Sequence, residues 1–86
     1  RILNIQGKSI HLTPKEFDLM SIFLKYPDRV LSHRTLAEAV WDNVNEGQTE
    51  NLRVLVAQLR RKIEDDTQHY IVSEPWVGYT LRSNGD

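Results

Sequence analysis

The chain has 86 residues, enough for one small domain around one core. Hydrophobic residues make up 40% and charged residues 27%, an ordinary globular composition, and the lack of cysteine excludes a disulfide framework and thiolate metal sites. With 11 basic and 12 acidic residues the net charge is −1, which argues against indiscriminate polyanion binding.

Residues 1–12 alternate loosely, with Ile2, Leu3, Ile5, Ile10 and Leu12 as the apolar positions. They read as two short strands joined by a tight turn at Gln6-Gly7. A lone hairpin is marginal, so the helices that follow must cover it. Thr13-Pro14-Lys15-Glu16 is a helix start. Thr13 caps, Pro14 suits the first helical position, and Glu16 completes a capping box. The helix should run to about Tyr26, turn Phe17, Leu19, Met20, Phe23 and Leu24 inward, and stop at Pro27-Asp28.

Val30-Leu31 reads as buried and extended. Ser32 caps a second helix over residues 33–41, with Leu36, Ala37, Val40 and Trp41 facing in. Core packing is the default for Trp41, although an indole N–H at a helix end also suits a phosphate. Asp42, Asn43, Val44, Asn45, Glu46, Gly47 and Gln48 form a polar, turn-rich loop. It is longer than the turn of a minimal helix-turn-helix, so it makes a surface of its own.

The stretch 49–64 holds neither Gly nor Pro, and nothing in it breaks a helix. Leu52, Val56, Leu59 and Ile63 recur at helical spacing as one apolar stripe, with Leu55 at its edge. Glu50, Val54, Ala57, Gln58 and Arg61 lie opposite. Arg53 and Arg60 flank one side and Lys62 the other. From residue 53 to 62 there are four cations and no acid. Cations in a last helical turn also answer the helix dipole, so part of this cluster needs no ligand. The outward face is shallow, small in the middle and basic at the end. A DNA major groove, ~12 Å wide, admits such a helix.

After Glu64, the run Asp65, Asp66, Thr67, Gln68 and His69 is a polar stop, read as a solvated helix exit. Residues 70–74 read as a strand, Pro75-Trp76-Val77-Gly78 as a turn, and residues 79–82 as a returning strand. Such a hairpin beside a recognition helix can touch the backbone or minor groove of a duplex. Strands, three helices and a terminal hairpin make an α+β fold, a winged helix-turn-helix with antiparallel strands at the N-terminus and a C-terminal β-hairpin wing.

Five segments carry a family resemblance. They are Leu12-Thr13-Pro14-Lys15-Glu16-Phe17, Arg29-Val30-Leu31-Ser32, Leu36 through Val40-Trp41, Leu59-Arg60-Arg61-Lys62-Ile63-Glu64, and Gly78-Tyr79. In that order and spacing they resemble the effector domain of OmpR/PhoB-family response regulators across essentially the whole chain. Leu52-Arg53-Val54 with Leu59-Arg60-Arg61-Lys62 looks most similar to the KdpE subgroup, which controls potassium-uptake genes. The resemblance implies a bacterial transcription factor that binds promoter DNA at direct repeats. It also implies an N-terminal phosphorylatable receiver, and a start at Arg1 rather than Met suits a fragment of such a protein. A homodimer is implied for the full-length protein, as is contact between RNA polymerase and loop 42–48. Base-reading positions then fall on Asn51, Arg53, Val54 and Gln58. Positions against the DNA backbone fall on Trp41, Arg60, Arg61, Ser73 and Tyr79. This sequence departs from some relatives at the wing tip, where Pro75 stands at the place of an Arg that they direct to the minor groove and Trp76 at the place of a common Gly. Gln58 replaces a cationic base reader, and its amide can pair with adenine. Glu50 and Leu55 occupy two further phosphate positions and cannot act as cations.

A winged helix that contacts a protein rather than DNA is the alternative, favoured by the near-neutral charge and by Trp76. Enzyme chemistry is not expected. His11, His33 and His69 lie in separate segments without metal spacing, and there is no phosphate loop or nucleophile elbow. No metal or cofactor is expected. No apolar run approaches the roughly 20 residues of a membrane helix, so no membrane partner is expected. The lack of cysteine fits a reducing, cytoplasmic setting.

Overall fold

The computed structural model describes residues 2–5, 7–45 and 47–82. Strands β1 (Ile2–Ile5) and β2 (Lys8–His11) pair antiparallel, Ile2 opposite His11 and Ile5 opposite Lys8. Gly7 sits in their turn at φ +80°, a conformation that glycine adopts without Cβ strain. Gln6, the other half of the expected turn, lies outside the described residues.

Helix α1 (Pro14–Lys25) starts as its first residues dictate. The Thr13 hydroxyl accepts from the Glu16 backbone N–H at 3.2 Å, and the Glu16 carboxylate accepts from the Thr13 N–H at 2.8 Å. The inward face differs from expectation. Glu16, Leu19, Met20 and Phe23 are buried, while Phe17 is 38% and Leu24 53% exposed. The stripe is rotated by one position because a charged residue, Glu16, occupies a core-facing place.

Strand β3 (Val30–Ser32) buries Leu31 but leaves Val30 48% exposed, so only half of the expected buried pair is inside. Alternation along a strand sends the two side chains to opposite faces. Helix α2 (His33–Val40) follows at once, capped by the Ser32 hydroxyl, which accepts from the Thr35 N–H at 3.1 Å. It ends one residue earlier than expected, with Trp41 as an extended C-cap. Helix α3 (Gln48–Ile63) begins at Gln48, which the sequence places in the loop. Gly47 precedes it without a side-chain cap, and the Asn51 amide donates to the Gln48 side chain at 2.8 Å across the first turn.

Strands β4 (Ile71–Glu74) and β5 (Gly78–Leu81) form the C-terminal hairpin, and β3 joins it to give the order β3-β5-β4. The central strand β5 is buried along its whole length. Gly78 belongs to β5 rather than to the turn. A Cβ at Gly78 would lie 1.8 Å from the Leu31 carbonyl oxygen, so only glycine lets β3 and β5 approach at Ser32. The core joins Leu19 and Phe23 of α1, Leu36 of α2 and Leu52, Val56 and Leu59 of α3 with Leu31, Ile71 and Leu81 of the sheet. All five expected apolar residues of α3, Leu52, Leu55, Val56, Leu59 and Ile63, are buried.

Candidate nucleic-acid interface

The buried stripe of α3 fixes what the helix shows outside. Asn51, Val54, Gln58 and Arg61 follow one another at helical spacing and are all exposed, with Val54 at 53%. They form an outermost ridge. Arg53, Ala57 and Arg60 form the adjacent ridge, turned toward the hairpin. With Thr49, Ser73, Trp76 and Tyr79 they line a cleft of about 720 Å³ between α3 and the wing. The four expected base-reading positions are therefore divided. Asn51, Val54 and Gln58 share the outer ridge, whereas Arg53 lies on the wing side. The Arg53 guanidinium is 3.6 Å from the Glu50 carboxylate, and both side chains are largely exposed. Such a surface pair is weak and yields to a better anion.

Arg60 closes the floor of the cleft. Its Nε and Nη2 donate to the Ile71 carbonyl oxygen at 3.1 and 2.7 Å, and Nη2 also donates to the Ser73 hydroxyl at 3.1 Å. The guanidinium carbon lies 5.8 Å from the centre of the Tyr79 ring. Tyr79 is buried and meets His33 edge-on, ring centres 5.6 Å apart. Three expected backbone-contacting residues, Arg60, Ser73 and Tyr79, are thus one cluster. Arg61 stands apart on the outer ridge. Trp41 is half-buried at the end of α2, with Lys15 Nζ 5.6 Å from its ring centre.

One cation of the basic run does not face outward. Lys62 Nζ donates to the Glu16 carboxylate at 2.6 Å and to the His11 carbonyl oxygen at 3.2 Å. The Glu16 side chain is 2% exposed. Burial pushes its pKa up, but the hydrogen bond from Lys62, the Thr13 N–H, the charge of Lys62 and the Thr13 hydroxyl outweigh that and hold it below the ordinary value. The acidic exit is structured too. One Glu64 oxygen accepts from the N–H groups of Tyr70 and Ile71 at 2.9 and 2.7 Å and so docks the start of β4. Asp65 accepts from the Thr67 hydroxyl, the Thr67 N–H and the Gln68 N–H, and these bonds lower its pKa. The expected solvated run therefore clamps a turn.

In the loop, Asp42, Asn43, Asn45 and Gly47 are exposed and Val44 is half-buried, while Glu46 lies outside the described residues. The Asn45 side chain accepts from the Gly47 N–H at 2.9 Å and steers the chain into α3, where Gln48 already belongs to the helix. Among the described residues no group of three or more His, Asp or Glu is placed to hold a metal. The sequence reading missed Thr49 and His33 as cleft residues. The spacing Thr49-Arg53-Ala57-Arg60 carried that signal, because it marks a second helical ridge beside the outermost one.

The family described as "Transcriptional regulatory protein, C terminal" matches residues 7–81. The transcriptional regulatory protein KdpE of Mycobacterium tuberculosis is 35% identical over 79 residues, which cover 90% of this chain and 35% of that protein. The chain thus spans about a third of the length of the curated relatives it matches. The C-terminal domain of the nisin resistance regulator NsrR, a lantibiotic response regulator, superposes with a TM-score of 0.77 at 35% identity, over 93% of this chain and 82% of that one. The Thermotoga maritima response regulator DrrB, an OmpR/PhoB homologue, superposes with a TM-score of 0.79 at 26% identity, over 92% of this chain and 36% of that one.

Proposed function

This chain belongs to the family of transcriptional regulatory protein C-terminal domains, the effector domains of OmpR/PhoB response regulators, and on that premise we propose that it binds double-stranded DNA sequence-specifically to control transcription. The observation that carries this reading is the outer ridge of α3. Asn51, Val54 and Gln58 stand exposed on a rigid helix whose opposite side is buried. Their amides and methyl groups are the chemistry that reads base edges, and a major groove is wide enough, at ~12 Å, to take the helix. Gln58 pairs with adenine, Val54 packs on a thymine methyl, and Asn51 and Arg53 read the flanking positions.

Phosphates on either side fall to Arg61 on the ridge, to Ser73 and Tyr79 on the hairpin, and to the indole N–H of Trp41. Arg60 spends three hydrogen bonds on the hairpin and leaves its Nη1 hydrogens for a phosphate. Backbone contacts of this kind set register, and base contacts set sequence. In the same reading, loop 42–48 meets RNA polymerase, an upstream receiver drives dimerisation on direct repeats, and the protein works in the cytoplasm as part of a two-component system. Likeness to KdpE supports potassium-uptake genes as targets.

The test is a gel-shift titration on a duplex selected by this chain from a randomised pool, in excess non-specific competitor and over a range of salt. A selected consensus and a steep fall of affinity with salt are expected. Failure to enrich any sequence, or binding indifferent to salt, sinks the proposal and favours a protein partner for the same surface.

A further inference from the structure

We infer that Trp76 is an apolar contact of the wing tip with DNA, its indole seated against the sugars and base edges of the strand that leaves the α3–wing cleft. This rests on the DNA-binding reading above. Trp76 is 98% exposed, far more than any other large hydrophobic residue among those described. The fold gains nothing from an indole left in water. The ring is also not on a slack loop. Trp76 is held at φ +68°, a conformation that glycine takes at low cost and tryptophan does not. The Val77 N–H donates to the Glu74 carbonyl at 3.1 Å, and the Val77 carbonyl accepts from the His33 N–H at 3.1 Å. Pro75 stiffens the turn from the other side. The backbone strain is maintained by bonds that hold the side chain outward.

Position identifies the occupant. Trp76 lines the same cleft as Arg53, Arg60 and Ser73, in which two guanidinium groups stand against the single carboxylate of Glu74. Guanidinium groups on the helix side attract a polyanion, and the ring stands at the opposite rim. The tip residues Pro75, Trp76 and Val77 carry no charge, and Pro75 has no N–H to donate. Contact at the tip is therefore made by apolar burial rather than by ion pairing. A duplex offers that surface in its minor groove, where apolar side chains wedge against sugars and between base steps.

Charge and burial have different salt signatures, and the test uses this. The 86-residue chain and its Trp76→Ala and Trp76→Phe variants are titrated with the selected duplex across a salt series. Loss of the aromatic contact in Trp76→Ala lowers affinity roughly tenfold at every salt concentration, with the slope unchanged. Trp76→Phe retains most of the affinity. In parallel, acrylamide quenching is followed, and the Trp76 signal is the difference between native chain and Trp76→Phe. That signal is accessible in the free chain and becomes protected when duplex is added. Full affinity in Trp76→Ala, or an indole still open to acrylamide in the complex, overturns the inference and leaves the DNA-binding reading intact. Protection that appears with rising chain concentration and no duplex assigns the ring to a second copy and overturns it as well. A native chain that binds no duplex overturns the underlying reading instead.

Discussion

The guanidinium of Arg60 donates through both Nε and Nη2 to the carbonyl oxygen of Ile71, so α3 is bolted to the first strand of the C-terminal hairpin. Lysine keeps the charge but cannot supply this fork. Arg60→Lys is expected to lower stability by about 1.5–3 kcal/mol, the range for hydrogen bonds to charged groups. Hydrogen exchange should rise in β4 before it rises in α3. Uniform exchange across the domain would show that the fork holds nothing in particular.

Gln58 and Arg61 share a ridge but are assigned opposite roles. Gln58→Ala should relax base preference at one position of the selected consensus, at a cost of about 1–3 kcal/mol for the preferred base. Arg61→Ala should weaken binding to all sequences alike and reduce the salt slope by roughly one unit. Arg61 is the cleaner charge probe, because Arg60→Ala would also release the wing. Competitive selection on both variants checks the division, and a consensus unchanged in Gln58→Ala refutes it.

Lys62→Met removes the partner of a carboxylate that is 2% exposed. A loss of about 2 kcal/mol is expected, less than for a fully buried pair because Lys62 itself is 36% exposed. The pH dependence follows from Glu16, whose folded pKa lies below the ordinary 4.5. Its contribution is fully present above the unfolded value and is lost as pH falls through the folded one. The native chain should therefore lose stability on acidification below about pH 4.5, and Lys62→Met should lose less over the same interval. Urea titrations at a series of acid pH values measure this, and equal slopes for the two proteins would exclude the linkage.

Gly78→Ala places a methyl carbon where the Leu31 carbonyl oxygen already sits, 1.8 Å from it. The obstacle is backbone and cannot rotate away. A loss of about 3 kcal/mol or more is expected, which at this chain length lowers Tm by well over 10 °C, roughly. Calorimetry reads it directly. A Tm within a few degrees of native would mean that β3 does not pair with β5 at Ser32.

Local signals were legible in the sequence, and long-range commitments were not. Thr13, Pro14 and Glu16 write a helix start within four residues, and Leu52, Val56, Leu59 and Ile63 set the orientation of α3 through their own spacing. Glu16 shows the limit. Its capping bond is local, but its partner Lys62 is 46 residues away, and nothing near either residue announces the pair. The capping box says nothing of the burial of Glu16, and the expected apolar face of α1 therefore takes in Phe17 and Leu24, which the structure leaves exposed. The bonds of Arg60 to Ile71 and of Lys62 to His11 and Glu16 reach between elements in the same way. For the candidate site, the outer ridge of α3 followed from periodicity. The wing-side cleft did not, because it requires the sheet to be in place.

That sheet has one more implication. Strand β3 runs straight into α2 at Ser32-His33 and is also laced to the middle strand of the hairpin. The gap between α3 and the wing is therefore set like the jaws of a fixed gauge, as the chain folds and before anything enters it. On the proposed DNA-binding reading, a duplex that touches both sides must arrive at the right width or bend to it, and sequences that bend easily gain an advantage at positions no side chain reaches.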